Sequence, residues 1–204
     1  ALMAIAPLHR AFGVERAVMS SYQAISGAGA QAMAELEAQV HAWVAGQPLV
    51  VKQQPKQIAF NVIPRIDAVQ DNFYTKEEMT FPLEGRKNLH HPALRATATW
   101  RNTRAGRFLL SVLNLEFAQP TTREAALDVL GKAPGLLVDD DPKAERYPTP
   151  LETSEKDEVY VGRVRRDRPE RLHHRVGLST GGDDSEQALR AGASIQHRRQ
   201  QRHP

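Results

Sequence analysis

Cysteine is absent from all 204 residues. That lack excludes disulfides, cysteine-ligated zinc and thiol nucleophiles from this chain, so any covalent sulfur chemistry has to come from outside it. Long apolar runs are missing too. No stretch approaches the ~20 residues that cross a bilayer, and the apolar residues 1–6 are followed by Pro7, His9 and Arg10. The start therefore reads as neither a membrane helix nor a secretory leader. Zinc spacings, a serine triad, a phosphate-binding Walker loop and a dinucleotide fingerprint are all wanting, although Gly27-Ala28-Gly29 touches on the last. His90 and His91 are adjacent and followed by Pro92, which turns the two rings apart and disfavours a shared metal.

What is present suits a globular domain: hydrophobic residues make up 41% of the chain and the formal charge is only +3. Acidic residues are spread through the middle, while arginine crowds the region from Arg163 onward. That basic stretch has no interleaved aromatics and no helical stripe collecting its arginines, so nucleic-acid binding is not expected.

Along the chain, residues 1–12 have helical apolar spacing at Leu2, Ile5, Leu8 and Phe12, with Pro7 as a kink and Gly13 as the stop. Residues 14–22 suit a buried strand. Ser26-Gly27-Ala28-Gly29 breaks the pattern before a helix over 30–44, whose stripe is Met33, Leu36, Val40, Trp43 and Val44. Residues 58–63 read as a short strand ended by Pro64. Thr75 and Glu78 form a capping box for a helix running to about Leu89, to be kinked or broken at Pro82. Residues 96–100 and 112–117 look like paired strands, 122–131 a helix, and 133–138 and 159–164 further strands. The alternation predicts an α/β domain, a mixed sheet covered by helices, over residues 1–167. From residue 168 to 204 both periodicities vanish, leaving an irregular basic tail.

Two local patterns could carry chemistry. The strand, glycine turn and helix start at residues 21–30 gather backbone N–H groups and a positive helix end, suited to an anion or a cofactor amide; a plain tight turn is the alternative. Glu84 and Lys87, three apart on a helix, can meet an amine and a phosphate together, or simply be solvated neighbours.

Taken jointly, several stretches are far more specific. Tyr22-Gln23-Ala24-Ile25-Ser26-Gly27-Ala28-Gly29, Phe60-Asn61-Val62-Ile63-Pro64-Arg65-Ile66-Asp67, Tyr74-Thr75-Lys76-Glu77-Glu78-Met79, Asp139-Asp140-Asp141-Pro142 and Tyr147-Pro148-Thr149-Pro150-Leu151 follow one another in an order and spacing that resembles bacterial aspartate-β-semialdehyde dehydrogenases. The resemblance covers residues 1–167. It implies the second, catalytic and dimerisation domain of an enzyme of the glyceraldehyde-phosphate dehydrogenase-like group, a cytoplasmic homodimer that reduces β-aspartyl phosphate with NADP as cofactor, on the route to lysine, methionine and threonine. A cysteine thiolate attacks the acyl phosphate, the thioester accepts hydride, and a histidine moves the proton.

By the same resemblance Gln23 contacts substrate, Ser26 and Gly27 touch NADP, Glu84 meets the substrate amine and Lys87 its phosphate. No metal and no catalytic residue is assigned. The family's cysteine, in an Asn-Pro-Asn-Cys stretch, is expected just ahead of Ala1 together with the nucleotide-binding half. The family's Arg-Val-Pro segment and following histidine are replaced here by Trp100-Arg101-Asn102-Thr103-Arg104-Ala105-Gly106-Arg107, so neither Arg101 nor Arg104 is assigned the substrate carboxylate. This departure and the tail both begin abruptly and are rich in arginine and glycine, the pattern a reading-frame slip in a GC-rich gene produces. Such a chain is expected to be inactive alone. Two other readings are an N-acetyl-glutamyl-phosphate reductase-like enzyme and a noncatalytic dimerisation module.

Overall fold

A computed structural model describes residues 1–103, 109–154 and 156–166 in full, and residues 175–182 at the level of the backbone. The elements are α1 (Leu2–Phe12), β1 (Val14–Ala24), a 3-10 turn (Ile25–Ala28), α2 (Ala30–Val44), β2 (Val62–Ile63), α3 (Lys76–Asn88), β3 (Arg95–Thr103), β4 (Leu109–Phe117), α4 (Arg123–Gly131), β5 (Leu136–Val138), α5 (Pro150–Thr153), β6 (Val159–Arg166) and β7 (Arg175–Gly182). The strands form one mixed sheet in the order β2-β3-β1-β4-β7-β6-β5.

β1 is the hinge of this arrangement, pairing parallel with β3 on one side and antiparallel with β4 on the other. Residues 96–100 and 112–117 are therefore both strands, but each pairs with β1 and not with the other as the sequence suggested. The period of two puts Ala17, Met19, Ala98, Leu113 and Leu115 on one face, where they meet Ile5 and Leu8 of α1, Phe81 of α3, and Ala126 and Leu130 of α4 in a single core. Burying each such leucine or isoleucine is worth roughly 1.5–3 kcal/mol. On the opposite face Val18, Ser20, Val112 and Asn114 stay half-buried.

α1 ends because Gly13 takes φ 69°, returning its N–H to the His9 carbonyl at 2.9 Å. α3 starts on the predicted capping box: Thr75 Oγ1 accepts from Glu78 N at 3.2 Å, and Glu78 Oε2 accepts from Thr75 N at 2.8 Å. The helix then continues through Pro82 to Asn88, so of the two expected outcomes, a kink or a break, the break does not occur. Its first turn is held from both sides, since Glu78 Oε1 also accepts the Trp100 N–H at 3.1 Å.

Residues 58–63 yield only the two-residue β2. Ile58 and Ala59 are fully buried, but Phe60 takes φ 59°, which no strand accommodates. The expectation of an irregular tail from residue 168 is corrected for 175–182: β7 lies inside the sheet, antiparallel to both β4 and β6. Residues 167–174 and 183–204, and 104–108 with Arg104, lie outside the described residues. Among the described residues, no helix is long and apolar enough to cross a membrane.

Candidate functional site

The parallel pair β1 and β3 delivers its carboxyl ends side by side, the position where open α/β sheets generally receive ligands. Gln23, one residue before the end of β1, is in register with Asn102 of β3. Both lie on the helix-covered face, and both line a cleft of about 740 Å3 that also takes in Gly27, Ala28, Lys52, Gln53, Arg65, Asp67 and Glu77.

Its floor is the turn after β1. Gly29 adopts φ 91°, a conformation that disfavours any other residue, and a side chain there would meet open space. Gly29 caps α2 without offering a side chain, so the helix start keeps uncapped N–H groups near the exposed Gly27 and Ala28.

The wall facing the turn is made by residues 50–59, and α2 holds it. Glu35 Oε2 accepts the backbone N–H of Lys52 at 2.8 Å and that of Gln53, while Gln39 Oε1 accepts those of Ile58 and Ala59 at 3.2 and 3.0 Å. Gln39 Nε2 donates to the Val50 carbonyl at 2.9 Å and to Glu35 Oε1 at 3.2 Å. An irregular segment cannot pair its own N–H groups, so these two buried side chains replace a ladder. Beneath them Ile25, Ala32, Ile58 and Ile63 form a second, smaller apolar cluster.

The cleft carries both signs of charge, Lys52 and Arg65 against Asp67 and Glu77. The Glu77 carboxyl titrates above its ordinary range, first because it is desolvated and then because Asp67 and Glu84 are also negative. Several buried polar atoms on this face have no hydrogen-bond partner among the described residues: Gln23 Oε1, Ser21 Oγ, Ser111 Oγ and Trp100 Nε1. Ser21 sits in register with both Trp100 and Ser111, so the unpaired atoms run along neighbouring strands back from the cleft.

Of the residues singled out in the sequence, Gln23 and Gly27 meet in this cleft, with Ser26 half-buried beside them. Glu84 and Lys87 are exposed on α3 and do not line it. Glu84 is seven residues from Glu77, two turns along the same helical face, and its charge is felt there. Arg101 points to the other side of the sheet, with its guanidinium 5.4 Å from the Tyr22 ring centre. His90 is exposed, whereas the His91 ring lies 5.2 Å from that of His9, and no metal-binding cluster exists among the described residues. Sequence reasoning missed Lys52, Arg65, Asp67, Glu77 and Asn102. For Asn102 the period of β3 was the available signal, since it puts residue 102, and not 101, on the face of Ala98.

The family profile described as semialdehyde dehydrogenase, dimerisation domain, matches residues 5–178. The aspartate-semialdehyde dehydrogenase of Aquifex aeolicus is 38% identical over 168 residues, 82% of this chain and 49% of that protein. The crystal structure of aspartate semialdehyde dehydrogenase II from Vibrio cholerae superposes with a TM-score of 0.84 at 32% identity, covering 90% of this chain and 53% of its own, and the same enzyme complexed with ASA gives the same values. The chain spans about half the length of the curated relatives it matches.

Proposed function

The chain belongs to the aspartate-semialdehyde dehydrogenase family, of which it carries the dimerisation portion, and from that premise we propose that it works within a longer, cytoplasmic, homodimeric enzyme that reduces β-aspartyl phosphate to aspartate β-semialdehyde with NADP. The observation that carries this reading is the cleft where Gln23 and Gly27 meet, with an unpaired Gln23 amide oxygen and charges of both signs around it. A small amino acid with an ammonium, a carboxylate and a phosphate is the kind of ligand such a lining suits.

In this reading Gln23 orients the substrate by its amide. Glu84, two turns along α3 from the cleft-lining Glu77, answers the substrate ammonium. Lys87, one turn beyond Glu84, answers the phosphate. Ser26 and Gly27 hold the cofactor. The exposed backbone at Gly27 and the open space around Gly29 fit the close approach of a flat carboxamide-bearing ring. When bound, the cofactor supplies the hydride. The nucleophilic thiol is expected from the half of the enzyme that this chain does not include, as cysteine is absent here.

Calorimetric titration of the chain with L-aspartate β-semialdehyde and, separately, with N-acetyl-glutamate semialdehyde tests the proposal. Saturable binding of the first, lost in Gln23→Ala, is expected. No binding, or preference for the second, overturns it.

A further inference from the structure

We infer that Asn102 is a substrate-recognition residue that, together with Gln23, receives the carboxylate of the ligand, a role that no arginine of β3 fills from where Arg101 stands. The inference rests on the function proposed above and adds a residue and a chemistry to it.

Position comes first. Gln23 and Asn102 are register partners on neighbouring parallel strands, so their side chains leave the same face at the same height and both line the cleft. Asn102 is only 8% exposed. A buried carboxamide normally satisfies its two donors and its acceptor inside the protein, because leaving them unpaired costs about 1–3 kcal/mol per group. Of this pair, Gln23 Oε1 is a buried oxygen with no hydrogen-bond partner among the described residues. Two adjacent amides, one on the buried Asn102 and one on the half-buried Gln23, therefore open on one cleft and offer polar groups to a guest.

Charge decides what kind of guest. Each amide can turn its NH2 outward, which gives paired donors suited to the two oxygens of a carboxylate. Lys52 and Arg65 line the same cleft and offer cationic partners to a carboxylate, while Asp67 and Glu77 across from them suit the ammonium of the same ligand. Arg101 cannot substitute: it is the register partner of Tyr22, lies over that ring, and so belongs to the opposite face.

The test measures dissociation constants for L-aspartate β-semialdehyde and for its carboxylate-free counterpart, β-aminopropionaldehyde, on the 204-residue chain and on Gln23→Ala, Asn102→Ala and Asn102→Asp, each with a thermal melt alongside. Asn102→Ala is expected to weaken the first ligand about tenfold and leave the second unchanged, as loss of a charge-assisted hydrogen bond does. Asn102→Asp, equal in size and able to keep the fold, sets an anion against an anion and weakens the first ligand further. If Gln23→Ala loses binding while both Asn102 variants bind the first ligand as the parent does, this inference falls and the proposed function stands. If the parent chain itself fails to bind the first ligand, the proposed function falls and takes the inference with it.

Discussion

Helices α1 and α2 have similar apolar stripes in the sequence and opposite fates in the fold. α1 buries its stripe: Ala4, Ile5 and Leu8 are at most 1% exposed. α2 turns Trp43 and Val44 outward, 58% and 74% exposed, and buries Glu35 and Gln39 instead. The difference lies in what each helix packs on. α1 lies over a strand ladder whose backbone groups are already paired, so apolar surface is the only thing left to bury. α2 lies over residues 50–59, where four N–H groups and a carbonyl need partners. Leaving those unpaired costs about 1–3 kcal/mol each, which together exceeds the roughly 1.5–3 kcal/mol available from burying a valine or methionine. Periodicity locates a helix; the chemistry of the surface beneath selects its inner face.

The largest effect that could break this contrast is at Leu8. Leu8→Ala is expected to cost about 2–5 kcal/mol in denaturant unfolding, the transfer of the side chain plus the cavity left behind. A loss below 1 kcal/mol (roughly the cost of a surface change) would mean that α1 is not the anchor described. Next comes Gln39→Leu, which is nearly volume-neutral and more apolar, and on stripe reasoning alone should stabilise. The hydrogen bonds of Ile58, Ala59 and Val50 argue for a loss of about 2 kcal/mol, with faster amide exchange at Ile58 and Ala59 as the local signature. An unchanged exchange rate at those two amides would contradict the bracing role of α2. Smaller still is Trp43→Ser: its ring rests on Phe60 at 4.7 Å but is mostly in solvent, so unfolding of the chain should shift by less than about 1 kcal/mol.

The sequence made the local features legible and the nonlocal ones obscure. The bounds of α2 follow from the glycine turn before it, and the start of α3 from Thr75 and Glu78, because caps are read within four residues. Order in the sheet is another matter. That β1 separates β3 from β4 depends on pairings such as Arg16 with Arg95 and Val14 with Phe117, far apart in the chain, and the local pattern of each strand does not encode them. β7 was illegible for a compositional reason: Gly177, Gly181 and Gly182 give it low strand propensity, and only its ladders to β4 and β6 make it a strand. The recognised family motif led to Gln23 and Gly27, whereas Asn102 emerged only once the register of β1 on β3 was known.

The smallest effect separates the helices by pH. His9, near the end of α1, accepts the Val14 N–H on Nδ1 at 3.0 Å, which fixes the imidazole as an acceptor and ties α1 to β1. Its pKa is lowered below the ordinary 6.5, chiefly by desolvation and then by His91, with Arg10 adding a little. The folded state thus binds fewer protons than the unfolded one. The resulting stability is complete above pH 6.5 and is lost as the pH falls through the folded-state value. His9→Asn keeps an acceptor for Val14 but cannot titrate. On going from about pH 7.5 to pH 5.5 the parent should therefore lose a degree or so more in Tm than this variant, the shift being small because His9 is partly solvated. Equal slopes for the two proteins would place the acid sensitivity away from α1.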